Sequence, residues 1–281
     1  MDIANEGDIQ DYLDIHISMK KGEIHLTQPH LIEQILKDLM MNREKINTKS
    51  IPAITSRILT RDPDGEDFDK SFHYRSVIGK LKYLERGTRS DISYITHQCA
   101  RFVEHPKESH AKAIRWLGRY LGATEGKGLI LKPNSSRDLE VFVDADFSGN
   151  WDSKDTAHNM DTARSRHGYI ITYRGCPIIW KSQMQAEIAL SSKECKYMGL
   201  SYTLREAIPI MNLLKEMQKY KFPISNTNTA IHCKVFEDNS GALEMAKTHK
   251  YRLRTKHLNV KYYHFRDYIT RGNISEYKID T

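Results

Sequence analysis

Three acidic residues occupy positions from which they could act together, although they stand far apart in the sequence. Asp144 follows the strand-like apolar run of residues 139–143, and Asp238 follows a second such run at residues 230–236. Glu194 stands in the first turn of a long helical pattern. If the two strands are neighbours, their carboxyl ends bring both aspartates together, and the first turn of the helix can add Glu194. Because clustered carboxylates repel one another, the stable use of such a group is to bind hard divalent cations.

These acids indicate a particular reaction. Two Mg²⁺ ions held by such a cluster would activate a water molecule and neutralise the leaving oxygen of a phosphodiester. Hydrolysis of a phosphodiester is therefore the chemistry that the three residues suggest. Acids at strand ends and helix starts are also routine caps and turn formers, and position alone favours that simpler explanation.

Length, composition and charge limit the class of protein. The chain has 281 residues, and its net charge of +7 and pI of about 9.0 reflect 43 Lys and Arg against 36 Asp and Glu. This length suits one large or two modest globular domains, and the mild basic excess is compatible with a nucleic-acid partner. The four cysteines form no Cys-x-x-Cys pair, so we expect neither zinc nor disulfides. We expect no membrane partner, because no run of about 18 apolar residues or signal peptide is found.

The first half of the chain reads as a small sheet followed by helices. Residues 11–27 alternate apolar and polar around Gly22 and predict a β-hairpin. A helix should follow from Pro29 to about Asn42, and residues 51–71 have the composition of a loop. Three amphipathic segments then predict a helical subdomain that ends near Gly122.

The pattern changes near residue 134, where a second domain is predicted to begin. Its elements should follow in the order strand, strand, strand, helix, strand, helix, helix, strand. Pro209 lies inside the long helix and is predicted to kink or divide it.

Several sequence blocks carry a family resemblance. Five of them follow one another in the second half: Val143-Asp144-Ala145-Asp146-Phe147-Ser148-Gly149, Trp180-Lys181-Ser182, Ala189-Leu190-Ser191-Ser192-Lys193-Glu194-Cys195-Lys196-Tyr197, Glu237-Asp238-Asn239-Ser240-Gly241-Ala242 and Arg254-Thr255-Lys256-His257. In this order they resemble the ribonuclease H domain of copia-type long-terminal-repeat retrotransposon polyproteins. Blocks at residues 24–29, 74–84 and 87–92 are similar to the end of the reverse transcriptase and the connection that follows it in the same polyproteins.

The resemblance implies an α/β fold class, with a ribonuclease H-like mixed sheet flanked by helices and preceded by a β-hairpin and a small helical connection subdomain. It implies four regions along the chain. Residues 1–50 would be the terminal part of the reverse transcriptase, 51–71 a loop or linker, 72–125 the helical connection, and 134–281 a ribonuclease H-like domain truncated at its C-terminus.

The resemblance also implies an activity, which is the metal-dependent hydrolysis of the RNA strand of RNA–DNA hybrids. The family's first Asp, its Glu and its second Asp fall on Asp144, Glu194 and Asp238, which would bind Mg²⁺, or Mn²⁺ in its place. The implied partners are the hybrid and the remainder of the polyprotein, in a cytoplasmic particle or the nucleus. The polymerase motif Tyr-x-Asp-Asp is absent from the sequence, so we expect no polymerase activity.

Departures from the family pattern keep a second function open. Cys195 and Lys196 stand where small and acidic residues are usual, and the family's last acidic residue would lie beyond Thr281. These departures favour a non-catalytic remnant that keeps the fold and nucleic-acid binding. The presence of all three acids favours the enzyme.

A basic and aromatic stretch near the end of the chain is the candidate contact to the hybrid. Its phosphate-binding candidates are Lys250, Arg252, Arg254, Lys256 and His257. Lysine and arginine contacts to phosphates give affinity that depends on salt and not on base sequence. A solvated helical face would explain the same charges.

Overall fold

The chain divides into two units, residues 1–132 and 133–281. In the computed structural model, the residues described are 9–42, 44, 46–54, 59–149, 151, 162–222, 224, 231–247 and 264–280. No described helix is both long enough and apolar enough to cross a membrane.

A four-stranded antiparallel sheet opens the first unit. It contains β1 (Asp11–Tyr12), β2 (Ile15–Lys20), β3 (Glu23–Thr27) and β4 (Leu129–Leu131), which lie in that order. The predicted hairpin between β2 and β3 is confirmed, and its turn uses Gly22 with φ of 81°, a conformation that favours glycine. The short strand β4 was not predicted, because three residues are too few to show a strand pattern.

Helices complete the first unit around one hydrophobic core. They are α1 (Pro29–Asp38), α2 (Tyr74–Gly87), α3 (Ser93–Ala100) and α4 (Glu108–Ala123). The apolar stripes that predicted these helices are buried together, so the helix after the hairpin and the three later helices share a single core.

A mixed five-stranded sheet forms the centre of the second unit. Its strands are β5 (Leu139–Asp146), β6 (Arg166–Tyr173), β7 (Cys176–Met184), β8 (Cys233–Glu237) and β9 (Ile274–Lys278). They lie in the order β7-β6-β5-β8-β9. The first three strands pair antiparallel, whereas β8 runs parallel to β5 and β9 parallel to β8.

Among the described residues of this unit, three helices pack with the sheet. They are α5 (Ser192–Lys219), α6 (Ser240–Lys247) and α7 (Arg266–Thr270). Pro209 was predicted to kink or divide the long helix, and it does not divide it, because α5 continues through it; the kink stays a prediction. Proline removes only one hydrogen bond of the helix ladder. Ala207 and Met211 on either side of it are buried in the core, and this packing holds the helix together.

The predicted fold class is confirmed. The second unit is a mixed α/β sheet flanked by helices, and a hairpin and a helical subdomain precede it in the chain. The assignment of residues 1–50, 51–71 and 72–125 to separate parts of a polyprotein stays a prediction.

Candidate functional site

The two predicted aspartates lie at the same edge of the sheet. Strands β5 and β8 run parallel, with Phe142 opposite Phe236. Asp144 comes two residues after Phe142, and Asp238 comes two residues after Phe236. The parallel register therefore brings the two carboxylates together, as the sequence predicted.

A lysine that was not predicted as a site residue joins these aspartates. The Nζ of Lys196 donates to Oδ1 of Asp144 at 2.5 Å and to Oδ1 of Asp238 at 2.6 Å. The Lys196 side chain is 10% exposed, so its ammonium lies nearly buried between the two carboxylates. The two aspartate oxygens are no farther apart than these two distances together.

The packing of α5 on the sheet explains why Lys196 reaches this position. At Gly199, a Cβ atom would lie 3.3 Å from the Cβ of Ala145 and 3.3 Å from the Cβ of His167. The absence of a side chain lets the helix approach β5 and β6 closely. Lys196 is one turn before Gly199, on the same side of the helix, so it points at the end of β5.

Glu194 faces a different part of the structure. Its Oε2 accepts a hydrogen bond from the backbone N–H of Leu190 at 3.0 Å, and its own N–H donates to Oγ of Ser191 at 3.2 Å. This reciprocal pair satisfies backbone donors at the start of α5. Residues two apart on a helix do not share a face, so Glu194 cannot point where Lys196 points.

A further carboxyl group, that of Glu237, lies beside the Lys196 ammonium. Glu237 is fully buried, and its Oε1 lies 3.8 Å from Nζ of Lys196. Its Oε2 has no hydrogen-bond partner among the described residues. Burial, and then the neighbouring Asp238 carboxylate, raise the pKa of Glu237 to about 8. We call Asp144, Lys196, Glu237 and Asp238 the Lys196 cluster.

Electrostatics also shift the pKa values of Lys196 and Asp238. Burial acts to lower the pKa of Lys196, but hydrogen bonds to Asp144 and Asp238 outweigh it and the pKa is raised. The pKa of Asp238 is lowered, first by its hydrogen bond with Glu237 and then by Lys196, against the effect of burial. The cluster therefore holds a charged ammonium at neutral pH.

The residues present do not fit the divalent cations that the resemblance implies. The space between Asp144 and Asp238, where a bridging ion would bind, is taken by the Lys196 ammonium. Within the part of the chain that the structure describes, no group of three or more His, Cys, Asp or Glu residues is arranged to hold a metal ion. Glu194 is engaged at the start of α5. A catalytic centre of Asp144, Glu194 and Asp238 stays a prediction.

The sequence analysis noted Lys196 only as a departure from the family pattern and did not predict it as a site residue. A signal existed, because Gly199, Thr203 and Ala207 are buried at a spacing of one helical turn, and Lys196 stands three residues before Gly199, on the same side of α5. Glu237 alternates along β8 with Cys233 and Val235, so its side chain lies on the same buried face of the sheet as theirs.

The predicted nucleic-acid contacts, Lys250, Arg252, Arg254, Lys256 and His257, lie outside the described residues.

Comparison with known proteins extends over nearly the whole chain. The retrovirus-related Pol polyprotein from transposon TNT 1-94 of Nicotiana tabacum is 26% identical over 285 residues, covering 100% of this chain and 20% of the polyprotein. Those from transposons RE1 and RE2 of Arabidopsis thaliana are 25% and 27% identical, covering 99% of this chain and 18% of each polyprotein. The chain thus spans about one fifth of the length of these relatives.

The comparisons with family models and with solved structures give less information about the chain. No family model matches the chain. The structure of an RNase H1 isolated from compost covers 50% of this chain and 84% of its own, at 14% identity and a TM-score of 0.31. The full-length similarity to these transposon polyproteins agrees with the ordered sequence blocks, and it supports the identification of the chain as part of a retrotransposon polyprotein.

Proposed function

We propose that the second unit is a ribonuclease H-like domain that binds RNA–DNA hybrids without cleaving them. The observation that carries this proposal is the ammonium of Lys196, within hydrogen-bond distance of both Asp144 and Asp238. A metal-dependent nuclease needs those carboxylates for its cations, and here the ammonium of Lys196 lies between them. The proposal agrees with the alternative that the sequence had left open.

The net charge of the chain and its similarity to Pol polyproteins support the proposal that it binds nucleic acid. The chain carries a net charge of +7, and its relatives are retrovirus-related Pol polyproteins. A basic protein gains affinity for any nucleic acid through its phosphates, and this contribution falls steeply with salt. Preference for a hybrid over duplex DNA would come from the shape of the A-form-like helix and its 2′-hydroxyl groups.

One assay tests both parts. The full chain is mixed with a hybrid whose RNA strand carries a 5′ label, in Mg²⁺ or Mn²⁺, and both the bound and the cut fractions are measured. We expect a shifted hybrid that weakens as salt increases and an RNA strand that stays intact. Cleavage that is lost in Asp144→Asn would overturn the proposal. Binding to duplex DNA as strong as binding to hybrid would remove the hybrid as the preferred partner.

Hydrolysis of the RNA strand with Mg²⁺ or Mn²⁺ is the second candidate function. The observation that favours it is the adjacency of Asp144 and Asp238, two of the three acids that the resemblance assigns to catalysis. Under this alternative, Asp144→Asn and Asp238→Asn would each abolish cutting and preserve binding. The same labelled hybrid distinguishes the two candidates, since only one of them releases a shorter RNA.

A further inference from the structure

A row of apolar side chains crosses all five strands of the sheet in the second unit. The strand pairing places Ile170 opposite both Trp180 and Phe142, and it places Phe236 opposite both Phe142 and Tyr277. Side chains that stand directly opposite one another lie on the same face of a sheet, so all five share one face. We call Trp180, Ile170, Phe142, Phe236 and Tyr277 the apolar row.

The apolar row lies on the face of the sheet that is turned away from the core. The core of the second unit joins buried residues of the helices to the opposite face, and no member of the row belongs to it. Ile170 is 41% exposed and Tyr277 is 43% exposed, and the other three members are partly buried. A continuous apolar surface of this kind is typical of an interaction site.

The packing of the rings shows which class of partner this face suits. The ring centroids of Phe142 and Phe236 are 4.8 Å apart with 8° between the planes, and those of Phe236 and Tyr277 are 5.5 Å apart with 27° between the planes. Rings that stack on one another turn their faces along the row and their edges away from the sheet. Nucleic-acid bases stack on exposed ring faces, so the row suits apolar side chains of a protein better than bases.

We propose that a second copy of this chain covers the apolar row, so that two sheets pack face to face about a two-fold axis that runs along the row. This inference goes beyond the proposed function, because it concerns association of the protein with itself and not its binding of nucleic acid.

The width of the row favours a second sheet over a single helix. Neighbouring strands are about 4.8 Å apart, so a row across five strands is about 19 Å long. A helix with its side chains is about 10 Å wide and, laid along the strands, would cover only part of the row. A second sheet of equal width covers the whole row at the usual separation of about 10 Å between packed sheets.

Charges on the two sides of the row favour this two-fold arrangement. Lys234 precedes Phe236 by two residues and Asp238 follows it by two, so both lie on the same side of β8 as the row. A two-fold rotation about the row reverses the strand direction. Lys234 of each copy therefore lies opposite Asp238 of the second copy, and the dimer contains this opposite-charge contact twice.

The neighbouring strand does not oppose this arrangement. The same rotation places Glu140 opposite Asp144 of the second copy, which are like charges. Glu140, however, already pairs with Arg137, whose Nη2 lies 2.6 Å from its Oε2. Asp144 and Asp238 share one ammonium, that of Lys196, so their end of the sheet keeps a negative charge for Lys234 of the second copy.

The size of the face sets the expected strength of the dimer. Five strands about 4.8 Å apart, each about 20 Å long, present on the order of 500 Å² per copy. Standard protein interfaces bury about 800 Å² per partner, so this one falls in the weak class. We expect a dissociation constant on the order of 10⁻⁵ to 10⁻⁴ M.

Sedimentation velocity of the full chain tests this inference over concentrations that bracket the expected dissociation constant. Wild type should change from a species of 32.7 kDa to a dimer as its concentration rises. Ile170→Lys places two like charges beside the axis and should weaken the dimer by at least about tenfold. Leu213→Lys is the control, because Leu213 is a 56% exposed apolar residue on α5, and it should leave the dimer unchanged. Lys234→Asp should weaken the dimer, and less so at high salt.

Several outcomes would overturn the inference. A wild type that stays monomeric over the whole range does so without any variant. A dimer that persists unchanged in a folded Ile170→Lys, judged by circular dichroism, or that Leu213→Lys weakens equally, shows that another surface is the interface. A single-stranded oligonucleotide that binds monomeric wild type and is lost in Ile170→Lys would make nucleic acid the occupant of this face. Hybrid binding and cleavage are measured in the separate assay above, so failure of the proposed function is distinguishable from failure of the dimer.

Discussion

Each of the two units buries a basic side chain against acids, and the two arrangements differ in how completely the charges are paired. In the first unit, the Arg89 guanidinium donates to both oxygens of Asp91 and to the carbonyl and hydroxyl oxygens of Thr124. Tyr120 donates to Asp91 at 2.6 Å. In the second unit, one ammonium serves Asp144 and Asp238, with Glu237 behind it.

The difference shows how a structural ion pair can be told from a candidate site. Each nitrogen of the Arg89 guanidinium has a partner, and the pKa of Asp91 is lowered by Arg89 and Tyr120 although burial acts to raise it. A network in which each group is satisfied fixes one conformation. The Lys196 cluster keeps an excess of acid, a carboxyl oxygen without a hydrogen bond and a Glu237 pKa raised to about 8, and such shifted pKa values are typical of functional sites.

The largest expected effect comes from breaking the ion pair between Arg89 and Asp91. Arg89→Met should lower the free energy of unfolding by about 3–5 kcal/mol, because it leaves the Asp91 charge without its partner in a partly buried place. Urea denaturation followed by circular dichroism measures this loss. Arg86→Met is the control, because Arg86 is exposed in the last turn of α2, three residues before Arg89, and it should change stability by less than about 0.5 kcal/mol. Equal losses in the two variants would contradict the structural role of Arg89.

Acid should weaken the second unit through a buried histidine beneath α5. His167 is 1% exposed, and burial, with help from Lys181 and Arg166, lowers its pKa to about 4. Between about pH 6.5 and 4 the unfolded chain binds this proton more strongly than the folded chain, so stability falls as pH falls. This group alone should remove about 2 kcal/mol between pH 7.5 and pH 5.

The comparison of two histidine variants isolates this effect. Urea denaturation at both pH values should show a smaller loss for His167→Gln than for wild type. His30→Gln, which changes an exposed histidine, should keep the wild-type loss. If His167→Gln is as sensitive to acid as wild type, another group is responsible.

Removing the lysine should cost less than removing the arginine. Lys196→Gln should lower the free energy of unfolding by about 1–2 kcal/mol, because water can solvate the exposed Asp144 once its partner is lost. A loss as large as that of Arg89→Met would show that the Lys196 cluster is as structural as the Arg89 pair.

The smallest effect should come from removing one hydrogen bond to Asp91 while its ion pair with Arg89 stays in place. Tyr120→Phe removes one hydrogen bond to Asp91 and leaves both hydrogen bonds from Arg89 in place. We expect a loss of about 1 kcal/mol, the usual net value of a single hydrogen bond. Thermal unfolding of Tyr120→Phe beside Arg89→Met checks this order, and a reversed order would mean that the hydroxyl and not the guanidinium holds Asp91.

The sequence by itself determined the elements and part of the site. Alternating apolar residues predicted the hairpin of β2 and β3, and helical stripes predicted α1 to α5, because the period of buried residues follows directly from strand and helix geometry. The adjacency of Asp144 and Asp238 was also predictable. Both follow apolar strand patterns, and parallel strands end at one edge of a sheet.

Only the tertiary structure decided which residue of α5 meets those aspartates. Glu194 and Lys196 are two positions apart in the same helix, so one of them must face away, and the sequence pattern of acids favoured Glu194. The close contact of Gly199 with Ala145 fixes the rotation of the helix on the sheet and turns Lys196 inward. The rotation of a helix about its own axis, and therefore which side chains face the sheet, is set by packing between segments that are distant in the sequence. Local sequence patterns do not determine this rotation.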